Sequence, residues 1–182
     1  PSQFLAELFR EDNGTVTRSF YPDLEELIQD IAAAYRQVIK DLYDAGCRNI
    51  QFDDCTWGMC CDHGYWTGRQ KDKSVTIEGE TAKYLRVNNL ALEGRPQDLA
   101  FTTHVCRGNY NSTWAASGGY EPVAPILFAK ENVDAYYLEF DDDRSGGFEP
   151  LREVSPNKKV VLGLIKLKSF CTEKEVIIRT NR

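Results

Sequence analysis

The chain has 182 residues, 42% of them hydrophobic and 27% charged, with a formal net charge of −6. That is enough for one ordinary domain with its own core, and the acidic balance speaks against nucleic acid or an anionic membrane as partner. No apolar run approaches the roughly 20 residues needed to cross a bilayer, and no signal-peptide pattern is present.

The six cysteines are irregularly spaced, with Cys60 and Cys61 adjacent and no CxxC. They read as thiols of a reducing, cytoplasmic compartment rather than a disulfide framework. The abrupt start at Pro1, and a tail "TEKEVIIRTNR" that reads as the onset of a helix, create the expectation of a piece of a longer polypeptide.

In chain order, Leu24, Leu27, Ile28, Ile31, Tyr35, Val38, Ile39 and Leu42 recur at helical spacing. They predict an amphipathic helix from Pro22 to Ala45, stopped by Gly46. "CRNIQFDD" follows as a short strand, and Cys55 to Lys73 reads as a long polar loop. A second helical pattern covers about Gly79 to Leu92, and "LAFTTHVC" is a strand. "GGYEPVAPILFAKENV" runs from loop into helix, and "DAYYLEF" is a strand. "FEPLREV" is a short helix, "KKVVLGLI" a strand, and the tail a final helix. Alternation of helix and strand implies a parallel sheet with crossover helices, either doubly wound or a (β/α)8 barrel. No GxGxxG follows a strand, so the phosphate cradle of the dinucleotide-binding fold is missing.

Chemistry collects at the strand exits. The first strand ends at Asp53–Asp54, the second at His104 and Cys106, the third at Glu139 followed by Asp141 to Asp143, and the fourth near Lys166 and Lys168. In parallel α/β folds these exits share one edge, where sites are built. Residues two apart in a strand face the same side, so His104 and Cys106 aim at one point. Imidazole, thiolate and carboxylate are all zinc ligands. The competing reading makes His104 and Cys106 a hydrogen-bonded histidine beside a packed thiol, and pairs Glu139 with a lysine or Arg144.

"IQFDD", "TTHVCRGNY" and "AYYLEF", in this order and followed by "VLGL", resemble the catalytic barrel of cobalamin-independent methionine synthase, above all its short single-barrel bacterial relatives. The resemblance covers essentially the whole chain. It implies an α/β fold that is part of a (β/α)8 TIM barrel, about strands four to seven, in one domain spanning residues 1–182. It also implies a zinc-dependent methyltransferase of methionine biosynthesis, which moves a methyl group from 5-methyltetrahydrofolate to homocysteine. Carried over residue by residue, the zinc ligands are His104, Cys106 and Glu139. A fourth ligand is expected beyond Arg182, and Cys171 is not its equivalent. Asp53, with Asp54 beside it, corresponds to the acid that holds the substrate amino group. Lys168 stands where the family has a proton-donating histidine, and Met59 where it has a folate-contacting glutamate. These two departures leave room for another methyl donor, such as a methylated corrinoid, or for a non-catalytic metal-binding half-barrel.

The remaining candidates carry weaker readings. Trp57, Trp66 and Trp114 line a cleft or pack the core, His63 is a loop residue, and Asp141 to Asp143 form a solvated acidic loop. Arg107 and Asn109 lie within reach of a substrate. Half a barrel has two open sheet edges, so the chain is expected to pair with another copy or with the rest of a longer polypeptide.

Overall fold

The structure is a computed structural model. It describes residues 1–10, 13–69, 75–108, 114–141 and 143–165, and the backbone of 175–178. Two short helices open the chain, α1 (Ser2–Leu8) and α2 (Asn13–Phe20), before the long α3 (Leu24–Asp44). Strand β1 (Asn49–Asp53) leads into α4 (Cys55–Cys61), α5 (His63–Arg69) and α6 (Ile77–Ala91). Then come β2 (Ala100–Val105), α7 (Ala124–Lys130), β3 (Ala135–Glu139), two 3-10 turns at Asp143–Ser145 and Glu149–Glu153, β4 (Lys159–Gly163) and β5 (Glu175–Ile178).

Local chemistry sets the helix limits. Asp23 caps α3 by accepting from Glu25 N, and Glu25 and Glu26 in the first turn suit the positive end of the helix dipole. Gly46, at φ +99°, lets the chain turn back after it. Thr76 caps α6 through Gly79 N, and Pro125 sits in the first turn of α7, where its missing N–H costs no helix bond.

The strands are ordered β1-β2-β3-β4-β5, and β1 to β4 are all parallel. Each parallel strand lies beside its neighbour in sequence. The order therefore has no reversal of the kind that defines a doubly wound sheet, and the four strands form a segment of barrel wall. Alternation along each strand sends Phe52, Phe101, Tyr136, Leu138, Val160 and Leu162 into the core, against Ile28, Ile31, Val87, Leu127 and Phe128 of the helices. Gln51, Asp53, His104, Tyr137 and Glu139 occupy the alternate positions, and none of them is fully buried. That second face is the one a closed barrel would turn inward.

Two expectations change. The segment from Cys55 to Lys73 is not a plain loop, because α4 and α5 fill most of its described part. Asp54 caps α4 through Thr56 N, and Asp62 accepts from Tyr65 N at 2.7 Å at the start of α5. These side-chain caps start helices that hydrophobic periodicity does not reveal. The described residues of the tail are not helical either. Residues Glu175–Ile178 form β5, antiparallel to β4 with Val161 opposite Ile177. A run of β-branched residues beside an open strand edge favours pairing over helix. Among the described residues no helix is long and apolar enough to cross a membrane.

Candidate functional site

The parallel register sets Asp53 beside His104 and His104 beside Tyr137, while Glu139 partners Gly163 one pleat further along. The three strand exits thus deliver their side chains to one place. Asp53, His104 and Cys106 each offer a ligand atom, and these atoms all lie within 4.8 Å of one another. His104 Nε2 lies 3.8 Å from Glu139 Oε1.

The imidazole is oriented from behind. His104 Nδ1 lies 3.2 Å from the carbonyl of Tyr137. A carbonyl can only accept, so Nδ1 carries the proton and Nε2 presents its lone pair to the cluster. The surroundings are electrostatically mixed. Burial works against a charged His104, yet its hydrogen bond to Cys106 and the charges of Asp53 and Glu139 raise its pKa overall. Asp53 is also raised, first by desolvation and then by Cys106. A group of donors that hold one another's protons in this way is suited to a cation that replaces those protons.

Glu139 is held on three sides. Its Oε1 accepts from Arg107 N at 3.1 Å, and its Oε2 from Arg144 Nη2 at 3.0 Å. The buried Tyr120 hydroxyl accepts from Glu139 N at 3.0 Å and lies 3.3 Å from Glu139 O. The competing ion pair with Arg144 is therefore present alongside the approach to His104. Asp141 is bound to the same guanidinium at 3.2 Å and is not a freely solvated acid. Asp143 is exposed.

Asp54 lies on the other face. It is 2% exposed, and its carboxylate accepts from Ser2 Oγ, Asn88 Nδ2 and Thr56 N. The structure thus uses it to start α4 and tie it to α6, away from Asp53. Arg107 is likewise buried, with its guanidinium 4.4 Å from the centre of the Tyr120 ring. Trp57 is wholly buried against Tyr84, Trp66 lines a cleft of about 370 Å³ with Tyr21 and Tyr84, and Trp114 lies under the Arg144 guanidinium at the site's rim. His63 opens α5 as an exposed residue. Asn109, Lys166, Lys168, Asp142 and Cys171 lie outside the described residues.

Sequence reasoning missed two neighbours of the site. Arg144 is one of them, weighed only as a rival for Glu139 and not as part of the wall. The other is Cys55, whose thiol pKa is raised first by Cys106 and then by burial. Its signal was available, because Cys55 lies two residues past Asp53 as Cys106 lies two past His104.

Residues 13–178 match the family model for the cobalamin-independent synthase catalytic domain. Two Bacillus subtilis (strain 168) proteins, each described as uncharacterized, are similar. YxjH is 45% identical over 154 residues, covering 83% of this chain and 40% of its own length. YxjG is 39% identical over 163 residues, covering 85% and 41%. A crystal structure described as "Putative Vitamin-B12 Independent Methionine Synthase from Listeria monocytogenes" superposes with a TM-score of 0.63 at 34% identity, covering 86% of this chain and 42% of that one. The chain thus spans about two fifths of the length of these relatives. By the extent of the family match and by the order of its strand-exit residues, the chain belongs to the family of cobalamin-independent methionine synthase catalytic domains.

Proposed function

We propose that this chain forms the zinc-holding wall of a methyltransferase barrel that moves a methyl group to a thiol, homocysteine being the substrate. The observation that carries the reading is the convergence of Asp53, His104 and Cys106 within 4.8 Å, with Glu139 Oε1 3.8 Å from His104 Nε2. The donor set is one imidazole, one thiol and carboxylates, which fits zinc and does not fit magnesium or calcium. His104, Cys106 and Glu139 would hold the metal. Zinc held there would favour the thiolate of the substrate at neutral pH and so supply the nucleophile.

The protein's own part is orientation. The Tyr137 carbonyl fixes the tautomer of His104, and Arg144, Arg107 N and Tyr120 fix Glu139. Asp53, beside the donors and exposed on the inner face, is placed to take the ammonium group of an amino-thiol. Asp54 acts through α4 rather than on substrate. Lys168 is proposed as the proton donor to the departing nitrogen. 5-Methyltetrahydrofolate is the proposed donor; Met59 and Lys168, which depart from the family pattern, leave a methylated corrinoid or another methyl donor as the alternative. Residues 1–182 are proposed to be one domain, completed by further barrel strands from a longer polypeptide or a second copy.

The test is methyl transfer to homocysteine by the full polypeptide, with methyl-folate and methyl-corrinoid supplied in parallel. Transfer that requires zinc and the thiol supports the reading. Zinc binding without transfer from either donor would reduce the site to a metal-binding one.

A further inference from the structure

Cys55 and Cys106 form the one pair of described thiols that meet at the site. The parallel ladder pairs Asn49 with Ala100 through Asp53 with His104, and Asp54 N donates to His104 O at 2.8 Å. Cys55 opens α4 two residues past Asp53, and Cys106 lies two residues past His104.

The start of α4 preserves this closeness. Gly58 sits so near the second chain that a Cβ there would lie 2.7 Å from Cys106 O. Cys55 is one helical turn earlier and half-buried, as Cys106 is, and both are free thiols. Cys106 is the first cause that raises the pKa of the Cys55 thiol, and Gly108 N donates to the Cys106 sulfur at 3.3 Å. The other described cysteines are not placed to compete. Cys60 and Cys61 are buried in the core, and Cys47 precedes β1 at the opposite end of the sheet.

We propose that Cys55 and Cys106 are a thiol–disulfide modification site, at which a hydroperoxide links the two sulfurs and withdraws Cys106 from the metal-binding group. The Cys106 sulfur attacks the hydroperoxide, forming an S–O bond as the O–O bond breaks and the alcohol, or water, leaves with a proton. The Cys55 sulfur then attacks the sulfenic sulfur, the S–S bond forms, and the S–O bond breaks to release water. Two thiols are oxidised to one disulfide while one hydroperoxide is reduced to alcohol and water. Cys55 acts here as the resolving thiol. Only the consequence for the metal rests on the function proposed above; the sulfur pair does not.

The experiment treats the reduced, metal-free full polypeptide with hydrogen peroxide, alkylates the remaining thiols, digests it, and reads the peptides by mass spectrometry. The expected result is a dithiothreitol-reversible linked peptide pair carrying Cys55 and Cys106, absent in Cys55→Ser. Alkylation of both Cys55 and Cys106 after peroxide, or linkage of either to another cysteine, would overturn the proposal. Wild-type mapping decides this even if the variant folds poorly. In a second arm, zinc binding to oxidised and reduced protein is compared. Binding at least about tenfold weaker after oxidation supports withdrawal of a ligand. A linked pair with unchanged zinc affinity would overturn that withdrawal, and with it Cys106 as a ligand.

Discussion

Arg144 grips one oxygen of Glu139 at 3.0 Å and leaves the other facing His104. The arginine side chain is 7% exposed and also binds Asp141, so the grip is shielded from solvent. It neutralises two acids packed together and fixes the rotamer of the one that points at the cluster. Such outer contacts set how well a carboxylate ligates. Arg144→Met is expected to weaken zinc binding by about 10-fold to 100-fold, with Arg144→Lys intermediate because lysine lacks the planar fork. Competition against a chelator of known affinity checks this, and unchanged affinity in Arg144→Met would remove Arg144 from the site's support.

Gly58 is required by proximity rather than by backbone angle. A methyl at this position meets the carbonyl oxygen of Cys106 at 2.7 Å, and a backbone atom cannot swing aside as a side chain can. Gly58→Ala is expected to destabilise the protein by about 1–3 kcal/mol through overpacking and to part α4 from β2. Trp57→Ala supplies the contrast. It empties a fully buried site in the same helix, with an expected loss of about 3–5 kcal/mol and a smaller effect on metal affinity per unit of stability lost. Denaturant melts beside zinc titrations of both variants read the two effects separately.

Asp53 stands where two roles meet, that of a metal donor and that of a partner for a substrate ammonium group. Its place among the candidate metal donors and its open face predict, on the proposed function, that Asp53→Asn raises the KM for homocysteine while zinc content holds. Loss of zinc in the variant would instead make Asp53 a ligand.

Glu131 predicts a pH dependence away from the site. It is wholly buried, its Oε2 has no hydrogen-bond partner among the described residues, and Asn88 bridges it to Asp54. Burial, helped by Asp54 and opposed by Asn88 and Lys158, pushes its pKa up from 4.5 to about 8. The folded protein therefore holds a proton that the unfolded chain has released between these values. Stability from this group is complete below 4.5 and falls as pH rises through about 8. Glu131→Gln, which mimics the protonated acid, is expected to flatten that fall in unfolding curves measured across the interval. A variant curve parallel to wild type would contradict the assignment.

Much of this was legible in the chain, and the exceptions have physical causes. β1 to β4 announce themselves as short apolar runs ending in polar residues, and His104 and Cys106 share a face because a strand has period two. The helices α4 and α5 stay hidden because Gly58, Gly64 and Gly68 interrupt a short segment whose start depends on the caps Asp54 and Asp62. Asp53 and Asp54 look equivalent in sequence, yet the pleat sends one to the donors and the other under the helices. The burial of Arg107 and the approach of Cys55 to Cys106 depend on register between segments some fifty residues apart, which local pattern does not encode. The tail misleads because "EVIIR" satisfies helix and strand alike until an open edge is available.

Zinc binding at His104 and Cys106 is tested by a zinc titration of the full polypeptide, purified without chelator, beside His104→Asn and Cys106→Ser. The wild type is expected to bind one zinc per chain. Each substitution is expected to abolish binding while leaving the circular-dichroism spectrum unchanged, since both side chains lie on the incompletely buried inner face. Zinc retained at full stoichiometry in both variants, or a magnesium or calcium ion taken up in its place, would contradict zinc binding at these two residues.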